Sequence, residues 1–272
     1  MVTKQPSKEV QTIESGGVAV LSSGFLAELA KEAKDEAAKE RPAVSKFGTR
    51  NGQLKYGGEL VPGNNMDVII LAASYRNLWF GTAFNPDNIQ NPKCFSLQMD
   101  DENMMPHPSV GDPPAKVCSA CPKNAWKSDI KADGTIGKGK ACKESRRLAM
   151  LPANCLVDGV DGVKTAEIGI LDLPVTSAKN YGGFVNAVAA TVGVPPWACV
   201  ANIKVQPSKN QFEVVITPIR VVATEEIARA LKARVDEAIR AVTEPYDETN
   251  SANAAVSAEQ LARQEAADRK IS

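Results

Sequence analysis

The sequence predicts an α+β fold in which a mainly antiparallel sheet is flanked by helices and interrupted by a long loop. About seven short runs, apolar or alternating and separated by turn residues, resemble strands. Helical periodicity lies between and after these runs. A long, cysteine-bearing stretch in the middle has the composition of a loop. Such a mixture of elements favours an α+β architecture over an all-helical or a parallel α/β one.

Composition limits how this chain can bind a charged partner. The 272 residues are 43% hydrophobic and 24% charged, which is ordinary for a globular protein with a sizeable core. The 32 basic and 32 acidic side chains balance to a formal net charge of zero. Any affinity for nucleic acid must therefore depend on local charge.

The N-terminal sequence and the cysteines indicate a cytoplasmic protein. No apolar run approaches the roughly 18 residues of a membrane span, and the polar start, MVTKQPSKEVQTIE, lacks a secretory core. Thiols stay reduced in the cytosol, so clustered cysteines there favour metal binding over disulfides. Cys155 and Cys199 lie in apolar sequence and are predicted to be buried structural residues.

Residues 1–48 are predicted to form a polar segment followed by a surface helix. The helix follows Ser22 and ends before Pro42. Its apolar positions recur at helical spacing, whereas its other face is charged. Those positions are Phe25, Leu26, Leu29 and Ala33.

Residues 49–243 are predicted to form the core. Five apolar runs in its first part resemble strands, and residues 100–114 have the composition of a loop. We expect the last two of these strands to be joined by a turn at residues 158–162. The five runs are residues 52–61, 66–73, 77–84, 148–157 and 167–175.

The second part of the core is predicted to contain two helices and a hairpin. Thr176 and Ser177 resemble an N-cap for a helix over residues 178–193. Residues 198–206 and 211–217 flank PSKN as a half-buried antiparallel pair. Thr224 is expected to cap a helix over residues 225–242, and residues 244–272 form a tail. The side chains expected to face the core are Tyr181, Phe184, Val185, Val188, Ile203, Val205, Phe212, Val214, Ile216, Ile227, Ala230, Leu231, Val235 and Ile239.

Four of the six cysteines lie in residues 94–147, which we call the cysteine segment. Cys118 and Cys121 form a CxxC pair, whose thiolates reach one ion from a single tight turn. Glycines before Cys142 let the chain fold back, and Cys94 completes a set of four thiolates. Structural zinc is bound by four tetrahedral ligands that the protein alone supplies. The sequence therefore predicts a structural Zn²⁺ site in an insertion over about residues 94–147.

Three alternatives to this zinc site remain open. His107, the only histidine, is the rival to Cys94 as fourth ligand. An iron–sulfur cluster uses the same four thiolates, and the cysteines could also be free. A catalytic role is disfavoured, because a closed site leaves no position for substrate and no cysteine lies in a nucleophile motif. The chain is accordingly predicted not to be an enzyme.

The cysteine segment also concentrates positive charge. From Lys116 to Arg147 there are nine basic residues against three acidic ones, an excess of six in a chain that is neutral overall. Such a surface suits phosphate contacts, and Trp126 in its midst suits base stacking. The alternatives are a solvated lysine surface and a tryptophan that caps the zinc knuckle. The candidate nucleic-acid-binding residues are Lys123, Trp126, Lys127, Lys138, Lys140, Lys143, Arg146 and Arg147.

CSACPKNAW and GKGKACKESRR, followed by LPVTSAKNYGGFVNAVAATVGVP, resemble phage single-stranded DNA-binding proteins that carry a zinc site in an OB-fold domain. The resemblance covers about residues 50–240. It implies an OB-like β-barrel, with Cys94, Cys118, Cys121 and Cys142 as metal ligands and the residues from Lys138 to Arg147 on the DNA backbone. The chain departs from the family in two respects. The best-known zinc site there combines a histidine with three cysteines, and the acidic tail common in the family is here mixed in charge.

The resemblance implies sequence-independent binding and protection of single-stranded DNA in phage-type replication and recombination. The partners would then be single-stranded DNA and replication or recombination proteins, in the host-cell cytoplasm and away from membranes. A zinc-stabilised structural or assembly protein is the main alternative. A metal-dependent nuclease would need a carboxylate cluster, and Asp158 and Asp161 are more simply turn residues.

Overall fold

Strand β4, Asn65–Trp79, is the centre of the fold. The computed structural model describes residues 46–81, 91–131, 133–208 and 211–245. The apolar run from Val68 to Ala72 in β4 is buried on both faces of the sheet. A strand of this kind needs a layer of side chains above and below it, and helices supply part of each layer.

Nine strands and four α-helices lie in the described residues. The strands are β1 (Lys46–Gly48), β2 (Lys55–Tyr56), β3 (Glu59–Leu60), β4, β5 (Cys94–Gln98), β6 (Lys143–Pro152), β7 (Gly169–Leu173), β8 (Cys199–Ser208) and β9 (Gln211–Val221). The helices are α1 (Gly159–Thr165), α2 (Ala178–Val192), α3 (Glu225–Ala233) and α4 (Val235–Thr243).

All nine strands belong to one mixed sheet in the order β3-β2-β1-β7-β6-β4-β8-β9, and β5 also pairs with β4. Neighbours are antiparallel except β1 and β7. One edge of β4 pairs with β6 along most of its length. The other edge pairs first with β8 and then with β5. The end of β4 is thus enclosed by the two strands that flank the loop of the cysteine segment.

The sheet curls so that the turn between β1 and β2 approaches β9. A Cβ added to Gly52 in this turn would lie 2.3 Å from the ring of Phe212 in β9. The contact joins a turn near one end of the strand order to the strand at the other end. The predicted α+β class with a mainly antiparallel sheet is confirmed in this form, as a curled mixed sheet with helices packed on it.

Hydrophobic side chains fill both faces of the sheet. On one face, Phe184 and Val188 of α2 pack against Ile70 and Leu148. On the other face, α1, α3 and α4 contribute side chains such as Val163, Leu231 and Val242. Leu78, Phe95 and Leu97 form a third, smaller cluster where β4 pairs with β5. This third cluster supports the base of the cysteine segment.

Several elements differ from the predicted ones. Residues 52–61 form the β2–β3 hairpin rather than one strand, because Gly57 and Gly58 both adopt positive φ and turn the chain. The predicted strands at 66–73 and 77–84 merge into β4, since no turn residue separates them. The predicted turn at 158–162 begins helix α1 instead.

The helices of the second half agree with the sequence more closely. Helix α2 ends at Gly193 in the left-handed conformation, and Thr224 accepts a hydrogen bond from the amide of Ile227 as an N-cap. The predicted helix 225–242 is broken into α3 and α4 at Arg234, whose guanidinium donates hydrogen bonds to the last carbonyls of α1. Ser177 is not a side-chain cap, because its Oγ accepts from the amide of Val214.

The predicted surface helix before Pro42 and most of the C-terminal tail lie outside the described residues. Within the described ranges, no helix combines the length and the apolar character needed to cross a membrane.

Candidate metal centre and nucleic-acid interface

Four cysteines from distant positions in the sequence surround one small cavity. Cys94 begins β5 and pairs with Trp79, and Cys142 immediately precedes β6. Cys118 and Cys121 belong to a short helical turn in the loop between these strands. All four line a cavity of about 10 Å³. This volume is about that of one water-sized sphere, so the cavity suits an ion rather than an organic ligand.

Backbone hydrogen bonds shape the turn that carries the CxxC pair. The amide of Cys118 donates to the carbonyl of Met104 at 2.8 Å, and the amide of Cys121 donates to the carbonyl of Cys118 at 3.2 Å. The Asn124 side chain donates to the same Cys118 carbonyl. The amide of Cys142 donates to the carbonyl of Lys123 at 2.8 Å. Both ends of the loop are therefore held at the cavity by the backbone itself.

Burial favours the neutral form of three of the four thiols. Burial, together with a smaller effect of the neighbouring thiols, raises the pKa of Cys94 to about 11 and the pKa of Cys142 to about 12. Burial likewise raises the pKa of Cys118, against hydrogen bonds from Asn77 and Ser96 that lower it. A bound cation would offset the cost of ionising Cys94, Cys118 and Cys142 in this buried position.

The donor set fits a thiophilic metal ion, but its side chains are not arranged as a closed coordination sphere. Among the described residues, no three His, Cys, Asp or Glu side chains stand close enough together to hold a metal ion. The cavity nevertheless brings together four cysteines, whose thiolates zinc binds well. Asn124, which also lines it, has a buried Oδ1 atom without a hydrogen-bond partner. Both features suit a cavity whose occupant is charged or polar.

His107 lies apart from this cavity. Its ring stacks on Phe95 with centroids 5.0 Å apart, and its Nδ1 atom contacts the Ser109 hydroxyl at 2.8 Å. Cys94 lines the cavity, whereas His107 does not. This placement supports Cys94 over His107 as the fourth ligand.

The candidate lysines lie on the loop and at the start of β6. Lys140 forms an ion pair with Glu144 at 2.8 Å, and Lys143 forms one with Asp129 at 3.1 Å. Lys123 lies over the Trp79 ring, with Nζ 5.1 Å from the centroid. The remaining two, Lys127 and Lys138, are exposed. Local charge is thus partly neutralised by carboxylates, but cations remain at the loop surface.

Arg146 and Arg147 point to opposite faces of β6, as consecutive strand residues do. The Arg146 guanidinium stacks on the Tyr75 ring at 3.1 Å from the centroid, on the face that carries the cysteine cavity. Arg147 is 7% exposed. It donates to Asp172 at 2.9 Å and to the carbonyl of Glu244. In this arrangement Arg147 stabilises the fold and does not face the same surface as Arg146.

Trp126 is exposed over 74% of its surface and does not line the cysteine cavity. Lys140 Nζ lies 5.4 Å from its ring centroid. In the described part of the loop, Trp126 is therefore a surface residue and not a cap on the CxxC turn.

Trp126 borders a groove of about 880 Å³, a volume typical of ligand sites. The cysteine segment forms one side of the groove. The residues that precede and begin α2, together with the start of β9, form the other. Phe212 lines this second side and is 45% exposed.

Phe212 was predicted to face the core, and this prediction is wrong. Val214 and Ile216 of the same alternating set are buried, whereas Phe212 lies at the end of the hairpin, beyond the main core. Its position close to the polar PSKN connection is the signal in the sequence that indicates this exposure.

Comparisons of the chain with protein-family models, with curated proteins and with solved structures gave no match.

Proposed function

We propose that this chain is a single-stranded DNA-binding protein with an OB-like barrel core, which coats and protects single strands in phage-type replication and recombination. The observation that carries the proposal is the exposed Trp126 ring, which has Lys140 over it and lies on a loop whose two ends are held together at the cysteine cavity. Exposed aromatic rings among cations are the usual means of binding single strands without sequence preference.

In this proposal, Cys94, Cys118, Cys121 and Cys142 hold a structural Zn²⁺ ion. The ion contributes folding free energy by joining the loop to the sheet, since structural zinc sites do little else. An iron–sulfur cluster on the same four thiolates is the alternative that metal analysis would identify. The protein's own contribution is the backbone network that places the thiols around one cavity.

The cations of the loop supply affinity without reading sequence. Lys127 and Lys138 are exposed, and Lys123, Lys140 and Arg146 each lie over an aromatic ring. Phosphate contacts by such side chains release counterions, which makes binding strongly dependent on salt. Lys143 adds charge beside the groove, although Asp129 offsets part of it.

In this proposal the protein is not an enzyme. It acts in the cytoplasm of the host cell, and its partners are replication or recombination proteins. Asp158 and Asp161, the carboxylates considered for a nuclease, belong to the segment around α1. That helix packs through Val163 on the face of the sheet opposite the α2 face. A bulge in β4 after Ile70 shifts the alternation of its side chains, so that Asn77 and Trp79, which line the cysteine cavity, lie with Ala73 on the α2 face.

A direct test is the titration of the full chain with a fluorescent oligo(dT), an oligo(rU) and a duplex of equal length. The proposal requires tight binding to oligo(dT) that weakens as salt increases, with weaker binding to duplex. Equal or stronger binding to duplex would contradict it. Stronger binding to oligo(rU) would shift the proposal to RNA, and metal-dependent cleavage of the probe would favour a nuclease.

One observation favours a second candidate, a zinc-stabilised structural or assembly protein. Ile130 and Ile136 pair through an isolated β-bridge in the loop and are 62% and 72% exposed. Two exposed isoleucines side by side are also suited to a protein contact. Absence of binding to DNA and RNA at low salt, together with retained metal, would favour this candidate.

A further inference from the structure

We propose that the groove between the cysteine segment and the start of β9 holds an unpaired nucleobase stacked on Phe212. This inference rests on the proposed binding of single strands and adds a residue that the basic loop does not contain. It also gives the strand a path, from Trp126 on one side of the groove to Phe212 on the other.

Phe212 is an exposed aromatic ring on a rigid support. Its ring lies directly against Gly52, where a Cβ would come within 2.3 Å. A side chain at position 52 would therefore displace the ring, and the positive φ of Gly52, 73°, also favours glycine. Phe212 as a whole keeps 45% of its surface exposed to solvent. One face of the ring is supported while part of it stays available to a ligand.

Hydrogen bonds fix both the support and the strand that carries Phe212. The Asn64 side chain donates to the carbonyl of Gly52 at 3.2 Å and accepts from the amide of Leu54 at 3.1 Å. At the start of β9, the amide of Val214 donates to Ser177 at 2.8 Å, and Asn180 donates to the carbonyl of Val214. The ring is therefore held before any ligand binds, which lowers the entropic cost of binding.

The charges around the groove match a nucleotide better than a neutral apolar ligand. Lys140, Lys143 and Lys179 line it together with Glu144 and Glu213. Glu144 is paired with Lys140, and Glu213 accepts a hydrogen bond from Gln206. Lys179 is exposed on the first turn of α2, on the same side as Phe212. A phosphate beside Lys179 would let the attached base reach the Phe212 ring.

Base stacking can be separated from phosphate binding with two probes, an oligo(dT) and an abasic oligonucleotide of equal length that keeps the phosphates and lacks bases. Phe212→Ala in the full chain is expected to weaken oligo(dT) binding by about 5-fold to 100-fold. It should leave abasic binding and the salt dependence unchanged. Phe212→Trp should restore the affinity for oligo(dT). Lys179→Ala should instead weaken binding to both probes and reduce the salt dependence.

Equal binding of oligo(dT) by wild type and by Phe212→Ala would overturn the groove site and leave the proposed function intact. So would an equal loss on both probes, since a purely structural role of Phe212 would not discriminate between them. Failure of the wild-type chain to bind either probe would overturn the proposed function and this inference together. Far-ultraviolet circular dichroism and thermal unfolding of each variant identify any loss that comes from misfolding.

Discussion

The amide of Cys142 donates a hydrogen bond of 2.8 Å to the carbonyl oxygen of Lys123. This bond joins the residue that precedes β6 to the turn that follows the CxxC pair, so the loop between them is closed at its base. Trp126 and Lys138 lie within the part of the chain that is closed in this way. We therefore propose that the hydrogen bonds at the base of the loop fix its conformation, whereas the side chains on its surface bind single-stranded DNA.

Replacement of Cys118 and Cys121 by serine is expected to abolish zinc binding. Because binding of a structural zinc ion contributes folding free energy, the melting temperature should also fall, by about 2–4 °C for each kcal/mol lost. Zinc content after exhaustive dialysis and a thermal melt measure the two effects. Cys155→Ser is the matched control, since Cys155 is buried in the core away from the cavity. Full zinc retention in the double variant would contradict the metal assignment.

Trp126→Ala is expected to weaken binding to oligo(dT) by about 1–3 kcal/mol through loss of base stacking. Stability should change little, because 74% of the Trp126 surface is already exposed. Fluorescence anisotropy measures the affinity, and urea unfolding measures the stability. Trp126→Phe keeps an aromatic face and should retain most of the binding. An unchanged affinity in Trp126→Ala would remove this residue from the interface.

Lys138→Ala is expected to reduce the slope of the logarithm of the binding constant against the logarithm of salt concentration by about one. Lys138 is exposed on the loop and would lose one phosphate contact. Lys232→Ala is the matched control. Lys232 is an exposed lysine on α3, and this helix packs on the face of the sheet opposite the α2 face. Equal slopes for the two variants would argue that Lys138 is only a solvated surface residue.

Asp172→Asn is expected to lower the free energy of unfolding by about 1–3 kcal/mol. The Asp172 carboxylate pairs with Arg76 at 2.6 Å and with Arg147 at 2.9 Å, and both arginines are more than 90% buried. Without this carboxylate, the buried guanidinium groups of Arg76 and Arg147 lose the anion that both contact, a change that is costly in protein interiors. Urea unfolding should report the loss while the salt dependence of DNA binding stays constant. A change in that dependence would instead place Arg147 at the DNA surface.

The periodicity of the sequence was enough to predict the helices and hairpin of the second half. Helix α2 has a clear apolar stripe and a terminal glycine, and β8 and β9 alternate around a polar connection. The length of β4 was not predictable in this way, because no pattern of residues marks the point at which a strand changes its pairing partner. Helix α1 was missed because DGVDG resembles a turn, whereas burial of Val163 against the sheet stabilises a short helix there.

The candidate site was predictable where residue type alone is informative. The cysteine spacing pointed to four residues that do surround one cavity. The separation of Arg146 from Arg147 requires knowledge of the strand register, which the sequence does not provide. The exposure of Phe212 depends on how far the sheet curls toward Gly52, and that is a tertiary property.

The most direct test of the central claim is the affinity of the full chain for oligo(dT) and for duplex DNA of equal length at two salt concentrations. The account predicts preference for oligo(dT) and a marked loss of affinity at the higher salt concentration. Binding to duplex that equals or exceeds binding to oligo(dT), or no binding to either at low salt, would contradict it.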